Sequence, residues 1–111
     1  MQLAILILNK EELLEVLLEG LLEIGISGAT IIDSIGMGHM LSTEGPIFAG
    51  LKYMFCGSRP YNKTIISAIN DDKVDPLKEV VDKTLGPLHE NGNGILFFIP
   101  LTDVVGLKSE I

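Results

Sequence analysis

Cysteine and positive charge are both scarce in this sequence, and each shortage excludes a class of protein. A single cysteine, Cys56, among 111 residues leaves no internal disulfide and no cysteine-rich metal site. Eight lysines and arginines stand against 15 aspartates and glutamates, which gives a net charge of −7 without a compensating basic cluster. We therefore expect no nucleic-acid partner.

Long apolar runs are also missing, although apolar residues are not. The first apolar run, residues 3–8, is far shorter than a bilayer span and has no basic flank or cleavage site, so we expect a cytoplasmic protein. Hydrophobic residues make up 47% of the chain, more than one small domain hides easily. We expect one domain, residues 1–111, that covers part of its apolar surface with copies of itself.

The hydrophobic pattern predicts four strands and two helices. The strands are predicted at 2–8, 29–35, 64–69 and 94–99, and the first is apolar on both faces and therefore central. The first helix is predicted between an Asn9 N-cap and a left-handed stop at Gly25. The second is predicted from Asp75 as N-cap to Gly86. Residues 39–62 form a long connection, which in so small a domain is either functional or mobile.

This order of elements is typical of one fold. The arrangement is the ferredoxin-like βαββαβ order: strand, helix, strand, long loop, strand, helix, strand. It is an α+β fold with an antiparallel sheet and two helices on one face. The uncovered face of the sheet must then meet another copy of the chain, and a small closed homo-oligomer is the economical solution.

No residue pattern indicates catalysis or a metal centre. His39 and His89 lie in different predicted loops, and pairing Cys56 with either would need a spatial coincidence. The spacings that bind zinc or calcium are absent from the sequence. We expect no catalytic residues, no metal ligands and no enzymatic activity.

Four short segments follow one another as they do in a known protein family. They are residues 25–30, 36–38, 70–74 and 92–100. Their order resembles the PII signal-transduction family, the nitrogen regulatory proteins, over residues 1 to 108. The resemblance implies a homotrimer that senses adenine nucleotides between its subunits. It also implies control of a target protein, in nitrogen or related metabolism, by a long effector loop at residues 39–62.

The resemblance further implies which residues contact the ligand. They are Thr30, Gly36, Gly38, Gly92, Asn93, Gly94 and Lys108. The glycines would let backbone N–H groups approach phosphate oxygens. However, Ile95 stands where the family has a lysine, and Gly106 and Lys108 stand where it has arginines. ADP, AMP or a cyclic nucleotide therefore fits better than ATP, and so does no nucleotide at all; no cofactor is required.

The effector loop carries an apolar group that suits docking onto a partner. Its members are Phe48, Leu51, Tyr53 and Phe55. Tyr53 lies where the family carries a modified tyrosine, but the flanking residues differ. The target is an unidentified protein. If the target is a membrane transporter, we expect this protein to bind it peripherally, from outside the membrane. Two alternatives stay open: a PII-fold interaction scaffold without nucleotide binding, and a CutA-like metal-associated trimer.

Overall fold

A computed structural model of the chain describes residues 1–37 and 61–107. These residues form an antiparallel sheet of four strands in the order β2–β3–β1–β4. The strands are β1 (Gln2–Leu8), β2 (Thr30–Ile35), β3 (Tyr61–Ile69) and β4 (Gly94–Pro100). Because β1 pairs with β3 on one side and β4 on the other, its predicted central position is confirmed.

Two helices, α1 (Leu14–Glu23) and α2 (Val74–Leu85), cover one face of this sheet. Alternate residues of β1 are buried beneath them, so the core lies between the helices and the sheet. Its main members are Ala4, Leu6, Leu8, Leu17, Leu21, Ile65, Ile69, Leu77, Val81 and Leu85. The predicted α+β fold, with βαββαβ order and both helices on one face, is confirmed.

The two helices pack closely, and neither resembles a membrane span. A Cβ atom added at Gly20 of α1 would lie 2.8 Å from Cγ1 of Val80 on α2, so the glycine permits the close approach. A short helical turn, α3 (Leu88–Asn91), follows α2 and is not predicted from the sequence. Within residues 1–37 and 61–107, no helix has the length and apolar character needed to cross a bilayer.

The predicted N-cap of the first helix is wrong. Lys10, not Asn9, precedes the 3-10 turn Glu11–Leu13 that leads into α1, and no side chain caps this turn. The Asn9 side chain donates instead to the carbonyl of Gly92, at 2.9 Å. The predicted stop is confirmed, because Gly25 follows α1 with a φ of 89°.

The second helix and the third strand both begin earlier than predicted. The chain already turns in a 3-10 helix at Asp71–Lys73, so α2 begins at Val74 and Asp75 lies inside its first turn. Tyr61 and Asn62 belong to β3 rather than to the predicted loop 39–62. The rest of that loop lies outside the described residues.

The other face of the sheet, which we call the open face, is largely apolar. Among the described residues, no helix packs on it. Its apolar members are Leu3, Ile5, Ile7, Ile32, Ile66, Ile95, Phe97 and Ile99. Three of them on β4, Ile95, Phe97 and Ile99, are 52%, 44% and 46% exposed.

Candidate ligand-binding site

The structure places most of the described ligand candidates at one end of the sheet. Gly36 follows β2, and Gly92, Asn93 and Gly94 lie where β4 begins. Thr30 lies at the opposite end of β2, roughly 20 Å away at the usual rise per residue. The remaining candidates lie outside the described residues: Gly38, Lys108, Phe48, Leu51, Tyr53 and Phe55.

A depression of about 350 Å³ opens on this end of the open face. Its described lining is Ile7, Asn9, Ser34, Ile35, Gly36, Asn62, Thr64 and Ile95. These side chains are isoleucines, amides and hydroxyls, and none of them is charged. The depression therefore offers apolar contact and neutral hydrogen-bonding groups.

The polar groups of the depression form one directional chain of hydrogen bonds. The Ser34 hydroxyl donates to Oδ1 of Asn62 at 2.6 Å, because that amide oxygen can only accept. Ser34 Oγ therefore accepts from the hydroxyl of Thr64, 2.7 Å away. Nδ2 of Asn62 donates to Oδ1 of Asn9 at 3.2 Å, and Nδ2 of Asn9 donates to the carbonyl of Gly92 at 2.9 Å. The chain thus runs from β3 and β2, past the end of β1, to the loop before β4.

Asn62 is the buried link of this hydrogen-bond chain. Its exposed fraction is only 4%, although it is an amide at the start of a strand. Such a group is stable in a protein interior only when its donors and acceptors have partners. Asn62 therefore fixes β2, β3 and the end of β1 relative to one another.

The two glycines at the start of β4, Gly92 and Gly94, are required by the backbone itself. Gly92 ends α3 in the left-handed conformation, with a φ of 67°. A Cβ atom at Gly94 would lie 2.5 Å from the carbonyl oxygen of Ile7, which no side chain tolerates. One glycine is thus needed for its conformation and the other for its lack of volume.

Most hydrogen-bond donors of this loop already have partners. The N–H of Gly92 donates to the carbonyl of Leu88 at 3.2 Å, and the N–H of Asn93 donates to Oδ1 of Asn91 at 2.9 Å. The side chain of Asn93 donates to the carbonyl of Leu85 at the end of α2, at 2.7 Å. Asn93, a predicted ligand residue, therefore caps a helix in this structure.

The lysine next to Asn62 is held by carboxylates. Lys63 points to the helix-covered side of the sheet, where it pairs with Asp33 and lies 3.6 Å from Glu11. The hydrogen bond to Asp33, helped by the charges of both acids, raises the pKa of the Lys63 ammonium group. Its positive charge is therefore already compensated.

The described residues give no support to a metal-binding site or to a functional role of histidine. His89 is exposed and lies 3.4 Å from Glu90, its neighbour in the chain. In the part of the chain that the structure describes, no three histidine, cysteine or acidic side chains lie together as a metal site requires. His39 and Cys56 are outside the described residues. The CutA-like alternative gains no support here.

Sequence reasoning does not identify the polar residues of the depression. Asn9 fits a local capping pattern, and Asn62 falls in a predicted loop, so neither is assigned to a site. Ser34 and Thr64 look like ordinary strand residues. The available signal is that Asn62 and Thr64 share the face of β3 that also carries Ile66, where a polar pair interrupts an apolar strip.

Comparison with known proteins adds one finding. A family model described as nitrogen regulatory protein P-II matches residues 1–110. No curated protein matches the chain. The family match spans both described ranges, including all the residues that line the depression.

Proposed function

The chain belongs to the nitrogen regulatory protein P-II family, and on that premise we propose that it senses a small ligand and controls a target protein. Proteins of this family are regulators rather than enzymes. The ligand is an adenine nucleotide or a related compound, bound in clefts between subunits. The response is carried to the target by the effector loop, residues 39–62.

The position of the depression is the observation that carries this proposal. Its lining includes Ser34 and Gly36, just before the effector loop, and Asn62 and Thr64, where the chain returns to the sheet. A ligand here contacts both ends of the loop at once. It can therefore favour one loop conformation, provided that it binds the two conformations with different affinity.

A trimer fits the arrangement of the remaining predicted residues. Proteins of this family are generally homotrimers that bind target proteins. Thr30 is too far from Gly36 to share a small ligand within one subunit, but a neighbouring copy can bring its own Thr30 to the cleft. The open face supplies the apolar surface that such an assembly buries.

Calorimetric titration of the full chain with ATP, ADP, AMP and cyclic AMP tests the sensor function. We expect saturable binding of at least one compound with one site per chain. Thr30→Val is expected to weaken that binding, whereas Thr84→Val, on α2 and away from the depression, leaves it unchanged. Absence of binding by all four compounds at millimolar concentration would contradict the proposal.

A second candidate function is an interaction scaffold that binds no nucleotide. The observation in its favour is that the N–H groups of Gly92 and Asn93 are used within the loop itself. The scaffold predicts no heat in any titration, together with an intact oligomer. The same calorimetric experiment therefore separates the two functions.

A further inference from the structure

We propose that the depression binds an uncharged heterocycle, a nucleobase or nucleoside, in preference to a phosphate-bearing nucleotide. The inference rests on the proposed function, because it names the ligand class of the same site. Three independent features of the described residues support it: the charge of the lining, the state of the loop amides and the direction of the hydrogen-bond chain.

The charge of the lining disfavours a phosphate. None of the described lining residues is charged, and the adjacent Lys63 is already held by Asp33 and Glu11 on the other side of the sheet. The chain as a whole carries a net charge of −7. Within residues 1–37 and 61–107 of one chain, the lining offers no cationic partner to replace the hydration that a phosphate would lose here.

The backbone N–H groups of the loop before β4 offer few hydrogen bonds to a phosphate. Phosphate cradles consist of several backbone N–H groups that point at the same place. Here the N–H of Gly92 and that of Asn93 donate within the loop. The alternation of hydrogen bonds between β1 and β4 directs the N–H of Gly94 to the outer edge of the sheet. Three convergent donors are therefore not available.

The direction of the hydrogen-bond chain favours a ligand that donates a hydrogen bond to Thr64. The only hydroxyl proton of Thr64 is directed to Ser34, so its oxygen can still accept from the depression. Thr64 lies in one row across the sheet with Ile32, Ile7 and Ile95. This row is an apolar strip interrupted by one acceptor. It suits a flat ring whose amino group or ring N–H donates to Thr64.

A titration series that varies only the number of phosphates tests this preference. The full chain is titrated with adenosine, AMP, ATP and inorganic tripolyphosphate at low and at high salt. We expect adenosine to bind at least as tightly as ATP, with an affinity that salt does not change, and tripolyphosphate to give no heat. Tighter binding of ATP than of adenosine, with an ATP affinity that falls as salt rises, would overturn the inference.

The outcomes distinguish this inference from the function on which it rests. Tighter binding of ATP than of adenosine refutes the uncharged ligand but keeps a nucleotide sensor. No binding of adenosine, AMP or ATP refutes both. Adenosine binding that is at least as tight as ATP binding, together with measurable binding of AMP or ATP, supports both.

A set of Thr64 variants tests the predicted contact. Thr64→Val removes the acceptor and is expected to weaken adenosine binding about threefold to tenfold, the value of one neutral hydrogen bond. Thr64→Ser keeps the hydroxyl and restores most of the affinity. The control Thr84→Val has no effect. Equal adenosine affinity of wild-type and Thr64→Val protein would contradict the role of Thr64, and the phosphate series stays decisive if this variant folds poorly.

Discussion

The absence of one side chain, at Gly94, sets how closely β4 approaches β1. The Ile7 carbonyl oxygen occupies the space where a Cβ atom at this position would lie, at 2.5 Å. Just beyond this contact, the Asn9 side chain reaches the Gly92 carbonyl. The close approach at Gly94 therefore keeps the last link of the hydrogen-bond chain within bonding distance.

Gly94→Ala is expected to lower the free energy of unfolding by about 1–3 kcal/mol, because the added methyl group forces β4 away from backbone atoms that cannot yield. Urea denaturation followed by circular dichroism measures the change. Gly28→Ala is the matched control, since no atom lies within 4 Å of its Cβ position, and its midpoint should stay near that of the wild type. Similar midpoints for the two variants would contradict the proposed crowding.

At the scale of elements, the C-terminal ends of both main helices are completed by side chains from outside the helix. Nζ of Lys73 donates to the carbonyl of Ile24 at the end of α1, at 2.5 Å. The carbonyl of Leu85, at the end of α2, accepts from the side chains of Asn91 and Asn93. Each helix is thereby fixed to the element that follows or adjoins it, and not only to the core.

Lys73→Met is expected to destabilise the protein by about 1–2 kcal/mol, because it removes a positive charge and a donor from the C-terminal end of α1. Amide hydrogen exchange should show faster opening of the last turn of α1, and urea denaturation should show the loss of stability. Lys10→Met, before the first 3-10 turn, removes a lysine without removing a helix cap and serves as the control. Unchanged exchange at Leu21 to Ile24 in Lys73→Met would show that this cap has no energetic role.

The periodicity of the sequence predicts the elements well and their ends poorly. All four strands and both main helices follow from apolar spacing, since burial against one core enforces that spacing. Asn9 fits a local capping rule, yet its partner Gly92 is 83 residues away. Local patterns carry no information about such a partner. For the same reason the family resemblance locates Gly36 and Gly92 near the site, but the polar chain through Asn62 emerges only from the folded sheet.

At the scale of the whole molecule, the open face is an apolar surface that no helix among the described residues covers. Ile95, Phe97 and Ile99 on the edge strand are each about half exposed, next to the partly covered Ile5 and Ile7. Burial of these side chains against other copies would contribute favourable hydrophobic energy that the isolated chain lacks. Proteins of the family are generally homotrimers, and the trimer that we propose for this chain would bury part of this face.

Phe97→Glu is therefore expected to dissociate the assembly, because it places a charge among the apolar side chains of β4 on the open face. Light scattering should give a mass three times the 12.0 kDa of one chain for the wild type and a smaller mass for the variant. Val16→Glu is the control, since Val16 is an exposed residue of α1 on the opposite side of the sheet. A monomeric wild type, or a Phe97→Glu variant of unchanged mass, would contradict a trimer held by this face.

The pairing of β2 with β3 holds together the two ends of the chain segment that connects these strands. The ladder extends to the pair Ile35 and Tyr61, and the bond between Ser34 and Asn62 adds a side-chain link. The entropy of closing a loop grows only slowly with its length, by about 0.6 kcal/mol for each doubling. The entropy of loop closure thus places little constraint on the number of residues inserted there. Over evolutionary time, the length of this segment can change while the sheet and its depression stay the same.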